Sequence, residues 1–155
     1  MSHEVNEKNK KEVMDFLKNE VLATLATVTP KGKPDASCIY YVLDENNNLL
    51  FLTGKETTKC KDIENQNEVV LVLTNEHKKE TLKIHAKCEI IADADLSTFV
   101  VNELAKKLNA GEKTDDILPV LQRKSTELVV IKVKPYQLLF SIFTEEGMRE
   151  TAIDL

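Results

Sequence analysis

Leu49-Leu50-Phe51-Leu52-Thr53-Gly54-Lys55-Glu56-Thr57-Thr58-Lys59-Cys60-Lys61 is the stretch on which the reading of this chain turns. Residues 49–53 make an apolar strand, Gly54 ends it, and two threonines open a helix over residues 57–65. The first amides of a helix have no acceptor within it, and the helix dipole adds partial positive charge there. A strand-to-helix junction of this kind therefore suits an anion. The charges sharpen the point. Lys59 and Lys61 fall in the first turn, where a cation is unfavourable by roughly 0.3–1 kcal/mol. A phosphate held by the threonine hydroxyls and Lys59 offsets that cost. The plainer alternative is an ordinary N-cap at Thr57 or Thr58 with solvated lysines, and Glu56 favours it.

Working outward, the chain reads mostly as strands. A helix over residues 4–19 presents Val13, Phe16 and Leu17 on one face. A β-branched strand follows at 21–29, then the turn Pro30-Lys31-Gly32-Lys33, a strand at 34–43 and a polar hairpin loop at 44–48. Beyond the central stretch, residues 68–74 form a strand too apolar for a half-exposed edge. The next strand alternates cleanly, with Leu82, Ile84, Ala86, Cys88 and Ile90 on one side and Lys83, His85, Lys87 and Glu89 on the other. Asp93 or Asp95 caps a helix running to about residue 109, with Phe99, Val100, Leu104 and Leu108 at helical spacing and Gly111 as its stop. A short helix over 114–122 is weakened by Pro119. Pro135 separates two last strands, 127–134 and 136–143, and the tail from Thr144 reads as polar.

Consecutive strands joined by short hairpins give an antiparallel sheet rather than a parallel one. The expected fold is mainly β with flanking helices: a six- to seven-stranded antiparallel barrel in one domain spanning residues 1–155.

Composition narrows the function. The 155 residues are 42% hydrophobic and 30% charged, with a formal net charge of −5, which fits a globular chain and not a disordered one. The acidic balance argues against a general nucleic-acid binder. The longest apolar run, 21–28, is too short for a membrane span, and no apolar signal core follows Met1. Cys38, Cys60 and Cys88 form no Cys-x-x-Cys pair and read as three buried thiols in a reducing cytoplasm. His3, His77 and His85 have no second ligand at metal spacing, so no metal site is expected. The residues nominate no general acid or base.

The order Leu22-Ala23-Thr24-Leu25-Ala26-Thr27-Val28, Gly32-Lys33-Pro34, Ile39-Tyr40-Tyr41, Phe51-Leu52-Thr53, Thr57-Thr58-Lys59 and Asn67-Glu68-Val69-Val70-Leu71 resembles the flavin-binding split barrels. These are the pyridoxamine 5′-phosphate oxidase-like proteins, including the general stress and nitroimidazole-reductase branches. The resemblance runs from about residue 22 to 91 and continues more weakly over 129–143. It implies a split β-barrel and a homodimer with FMN in two grooves at the subunit interface. It places Ser37, Cys38 and Tyr40 on the flavin-contacting strand. Leu52 and Thr53 fall at the strand end against the isoalloxazine, and Thr58 and Lys59 at the phosphate, with Thr57 beside them. Thr81 would reach the ring from the partner subunit, and Ser141 would lie near the ring edge.

The chain also departs from that pattern. Ala36 and Ser37 stand where many members carry a phosphate-gripping arginine, and Thr58 stands where the phosphate pair has one. A frequent glycine of the fifth strand is Ala86, and the tail offers only Arg149 in place of an Arg-x-His-x-Arg signature. Two functions follow: an FMN-dependent oxidoreductase of unspecified substrate, or a non-catalytic stress or binding protein on the same barrel with flavin held weakly or lost. The dimer is also expected from Leu128-Val129-Val130-Ile131-Lys132-Val133, which is apolar on both faces over its first half. A partner or an outer helix must cover the second face.

Overall fold

The computed structural model describes residues 3–108 and 128–155. Gly111, the short helix expected over 114–122 and residue 127 lie outside the described residues. Helix α1 (His3–Asn19) buries Val13, Phe16 and Leu17, as its spacing predicts. Strand β1 (Leu22–Val28) alternates, with Ala23, Leu25 and Thr27 inward and Leu22, Thr24, Ala26 and Val28 outward. Gly32 adopts φ +77° in the turn that follows, where the Thr29 amide donates to the Lys33 carbonyl at 2.8 Å.

The strand expected over 34–43 is two strands. β2 (Pro34–Tyr40) pairs with β1, and β3 (Val42–Leu43) pairs with β4 (Leu49–Gly54). Tyr41 is the pivot. Its amide donates to the Val21 carbonyl at 3.0 Å, its ring is fully buried, and its hydroxyl donates to the Leu17 carbonyl at 2.6 Å. Helix α2 (Thr58–Asn65), β5 (Glu68–Asn75), β6 (Glu80–Ile91), helix α3 (Ala94–Lys107), β7 (Leu128–Thr144) and β8 (Gly147–Asp154) complete the described elements.

Every strand pair is antiparallel, in the order β2-β1-β5-β6-β7-β4-β3 with β8 on β7. The two end strands, β2 and β3, are separated in the chain by Tyr41 alone. The sheet must therefore curl until its ends meet, which is the split barrel.

Two expectations about the C-terminal part fail. Pro135 does not divide β7, which runs 17 residues through it. The bulge is in β7 itself: His85 and Ala86 of β6 pair with Gln137 and Pro135, which leaves Tyr136 without a partner, and a proline is tolerated where the ladder is already interrupted. The tail is not an irregular polar segment. It folds back as β8, giving eight strands among the described residues instead of six or seven. Gly147 at φ +129° makes the turn, and the pairing runs from Thr144↔Gly147 to Gln137↔Asp154.

Two apolar clusters of the described residues hold the fold. The larger fills the barrel and takes α1 and α2 with it, including Leu17, Leu25, Phe51, Ile63, Leu71, Ile84 and Ile131. The smaller joins Val42, Leu50, Leu52 and Val130 to Val100 and Leu104 of α3. The outer face of β7 is thus covered by α3, so that strand gives no argument for a second subunit. Phe99 is 41% exposed, because the buried stripe of α3 is Val100 and Leu104. Cys60 and Cys88 are buried thiols, whereas Cys38 is exposed on the outer face of β2.

Candidate functional site

The junction that opened the sequence reading is a built structure. Thr57 is the N-cap of α2, in extended backbone with its side chain accepting from the Cys60 amide at 3.4 Å. Its hydroxyl donates to the Gly54 carbonyl at 2.8 Å and lies 2.9 Å from the Thr53 hydroxyl. These contacts absorb the Thr57 side chain. The amides of Thr58 and Lys59 come first in the helix and have no acceptor within it. No acidic residue stands in that first turn.

Asp62 of α2 is withdrawn from the surface. It is 1% exposed and accepts from the Thr27 hydroxyl at 2.7 Å, which ties α2 to β1. The same lock sets where the N-terminus of α2 points.

In front of that N-terminus lies a cleft of about 480 Å³, lined by Asp35, Ser37, Glu56, Thr57, Thr58 and Lys59. Four residues singled out in the sequence meet here: Ser37 from β2 and Thr57, Thr58 and Lys59 from α2. Asp35 was missed. The signal was available, because Asp35 and Ser37 share one face of a strand with period two. Ser37 has the half-buried setting of a residue at the sheet margin, while Cys38 and Tyr40 alternate to the exposed side. They look out on the opposite face, with Tyr40 opposite Leu22 and Cys38 opposite Thr24.

Leu52 and Thr53 are both buried at the end of β4. Leu52 packs its side chain into the cluster beneath α3, so only its backbone is left for a ligand. Thr81 and Ser141 are directly opposed across β6 and β7. Val129 on β7 faces Thr53, and Ser141 on the same strand faces Thr81. Those two positions are twelve residues apart along β7, a contour of about 40 Å at ~3.3 Å per residue. One chain therefore places Thr53 and Thr81 near opposite ends of its longest strand.

The thiol environments exclude activated cysteines inside the core. Burial pushes Cys88 up to about 12 and also raises Cys60. No group of three or more His, Cys, Asp or Glu suited to a metal is present among the described residues. No described helix is long and apolar enough to cross a membrane.

The family model described as pyridoxamine 5′-phosphate oxidase matches residues 10–141. The chain belongs to the pyridoxamine 5′-phosphate oxidase family. Among curated proteins, UPF0306 protein PM1958 of Pasteurella multocida strain Pm70 is 42% identical over 60 residues, covering 38% of this chain and 40% of that protein. Among solved structures, General Stress Protein 26 from Bacillus anthracis superposes with a TM-score of 0.67 at 18% identity, covering 94% of this chain and 98% of the other. A pyridoxamine 5′-phosphate oxidase-related, FMN-binding protein from Nostoc punctiforme gives a TM-score of 0.60 at 16% identity, covering 90% and 89%. At those identities the superpositions establish the shared barrel. The family assignment rests on the match across residues 10–141.

Proposed function

We propose that this member of the pyridoxamine 5′-phosphate oxidase family is an FMN-binding, oxidoreductase-type homodimer acting as one domain. The observation that carries the proposal is the cleft at the N-terminus of α2. Its rim joins two unused amides, the Thr58 hydroxyl, Ser37 and Lys59 in a turn that holds no acid. That donor set fits a phosphate monoester. Lys59 supplies the charge, and the Thr53–Thr57 hydroxyl pair fixes the loop between strand and helix. When bound, the flavin supplies the electron-transfer chemistry. The chain's own part is to anchor the phosphate, exclude water and offer backbone at Leu52 and Thr53 to the ring.

The homodimer rests on two features. Leu22, Val28, Tyr40 and Val72 are each at least 39% exposed. They lie on the adjoining strands β2, β1 and β5, with Leu22 opposite Tyr40 and Thr24 between Cys38 and Val72. A contiguous apolar sheet face of this kind needs cover. A second copy also brings Thr81 and Ser141 of one protomer toward Thr53 and Lys59 of its partner, which the contour of β7 opposes within one chain. Cys38 and Tyr40 then belong to the interface as well as to the flavin-contacting strand.

One observation favours a second reading, a binding protein that holds flavin weakly. Asp35 and Glu56 line the same cleft as Lys59, and two carboxylates oppose a phosphate dianion. The absorption spectrum of the freshly purified protein, followed by titration with FMN, separates the two. A flavin spectrum, or saturable FMN binding, supports the first. A colourless protein that ignores added FMN overturns it.

A further inference from the structure

A separate cleft of about 330 Å³ lies where the ends of α1 and α3 meet β3, lined by Lys18, Val42, Leu43, Glu103, Lys106 and Lys107. It shares no lining residue with the α2 cleft. The Lys107 Nζ is shielded from solvent and has no hydrogen-bond partner among the described residues. It sits 4.2 Å from the centroid of the Tyr41 ring. The ring face attracts a cation but cannot accept as an oxygen does, and the Tyr41 hydroxyl is committed to Leu17.

The nearby carboxylates are engaged elsewhere. Glu103 pairs with Lys106 at 3.1 Å, and Glu20 accepts from the Asn75 side-chain amide at 2.7 Å. Lys18 has no ion-pair partner among the described residues. A desolvated lysine releases its free amine closer to neutral pH than an exposed one. Burial draws Lys107 down to about 8, with the negative charge of Glu20 acting in the other direction.

We propose that Lys107 is an amine nucleophile that captures a small carbonyl compound bearing an acidic group, with Lys18 holding the acid. The Nζ lone pair forms a bond to the carbonyl carbon, and the carbonyl oxygen takes a proton to give a carbinolamine. Loss of that hydroxyl with a second nitrogen proton, as water, leaves an imine. Nothing is oxidised or reduced. The cleft volume, near the lower end for ligand pockets, restricts the compound to a few heavy atoms beyond its reacting groups.

The test uses the full chain free of flavin, treated with glyoxylate and sodium cyanoborohydride at about pH 7.5, with adducts located by peptide mass spectrometry. Lys107 is expected to be modified at least about 10-fold faster than Lys106, its neighbour on the same helix, with a rate that levels off near the lowered amine value. Lys107→Arg keeps the charge and should abolish the fast adduct. Lys18→Gln should slow labelling by glyoxylate while leaving labelling by acetaldehyde unchanged. Labelling of Lys107 no faster than Lys106 overturns the proposal. Equal rates for glyoxylate in the wild type and Lys18→Gln overturn the acid-holding role. FMN titration of Lys107→Arg should match the wild type, so failure here and failure of the flavin reading are separately visible.

Discussion

The Thr53 and Thr57 hydroxyls lie 2.9 Å apart, joining the end of β4 to the cap of α2 across a turn that neither element fixes alone. One residue of the pair is buried in the sheet and the other opens the helix. The position of the α2 amides, and hence of any anion they hold, follows from this contact together with the Thr27–Asp62 bond.

Thr57→Ala should therefore lose the cap. The expected cost is about 0.5–2 kcal/mol of stability, with weaker FMN binding as a consequence of a displaced helix start. Thr57→Ser keeps the hydroxyl and should restore most of both. Urea denaturation of the two variants checks the first effect and FMN titration the second.

Lys59→Ala should separate binding from folding. Lys59 lines the cleft and makes no ion pair among the described residues. Loss of a charge-assisted contact worth about 1.5–3 kcal/mol corresponds to a ~10- to 150-fold rise in the FMN dissociation constant. The unfolding midpoint should stay within the scatter of the wild type. Unchanged affinity would mean that the phosphate is held elsewhere. Replacing Asp35 by Asn should shift affinity the opposite way, by removing a like charge from the same cleft.

The outer face of β2, β1 and β5 gives the oligomer prediction. Val72 is 40% exposed in the single chain, so Val72→Asp should not disturb the core. It should convert a dimer into monomers in multi-angle light scattering. A wild-type protein that is monomeric at micromolar concentration contradicts the dimer outright.

Tyr41→Phe removes the hydroxyl that satisfies the Leu17 carbonyl near the end of α1. A buried acceptor left without its donor costs about 1–3 kcal/mol. Burial, with Glu20 nearby, holds the Tyr41 phenol far above its ordinary range, so alkaline titration of this tyrosine should appear only with unfolding. Ultraviolet difference spectra follow both effects.

Asp44 supplies a pH dependence with a definite sign. Its partial burial acts to raise the carboxyl, but the Asn48 amide and side chain, the Asn46 amide and Lys132 outweigh that and hold it below the ordinary carboxylate value. A lowered folded value means stability that is complete above the unfolded value near ~3.9 and is lost as pH falls through the folded one. The stability gap between wild type and Asp44→Asn should be constant near neutrality and close in acid. A gap that persists unchanged in acid rules out the ionised loop as its source.

Periodicity and capping are local properties of the chain, so the alternating strands, the barrel class and the helix starts at Thr57 or Thr58 and at Asp93 or Asp95 were legible in the sequence, and the structure selects Thr57 and Asp93 as the caps. The sequence also drew Ser37, Thr57, Thr58 and Lys59 into one hypothesis, and the fold brings those four to one cleft. Tertiary structure alone decided the rest. Pro135 passes through a strand because β7 itself bulges at Tyr136 beside it, and the polar tail became β8 because β7 offered an edge. Asp62, Asp35 and Lys107 owe their roles to what lies across from them, on β1, α2 and Tyr41. A charged side chain carries no local signal of its partner. Only packing decides whether it meets water, an opposite charge or an aromatic ring.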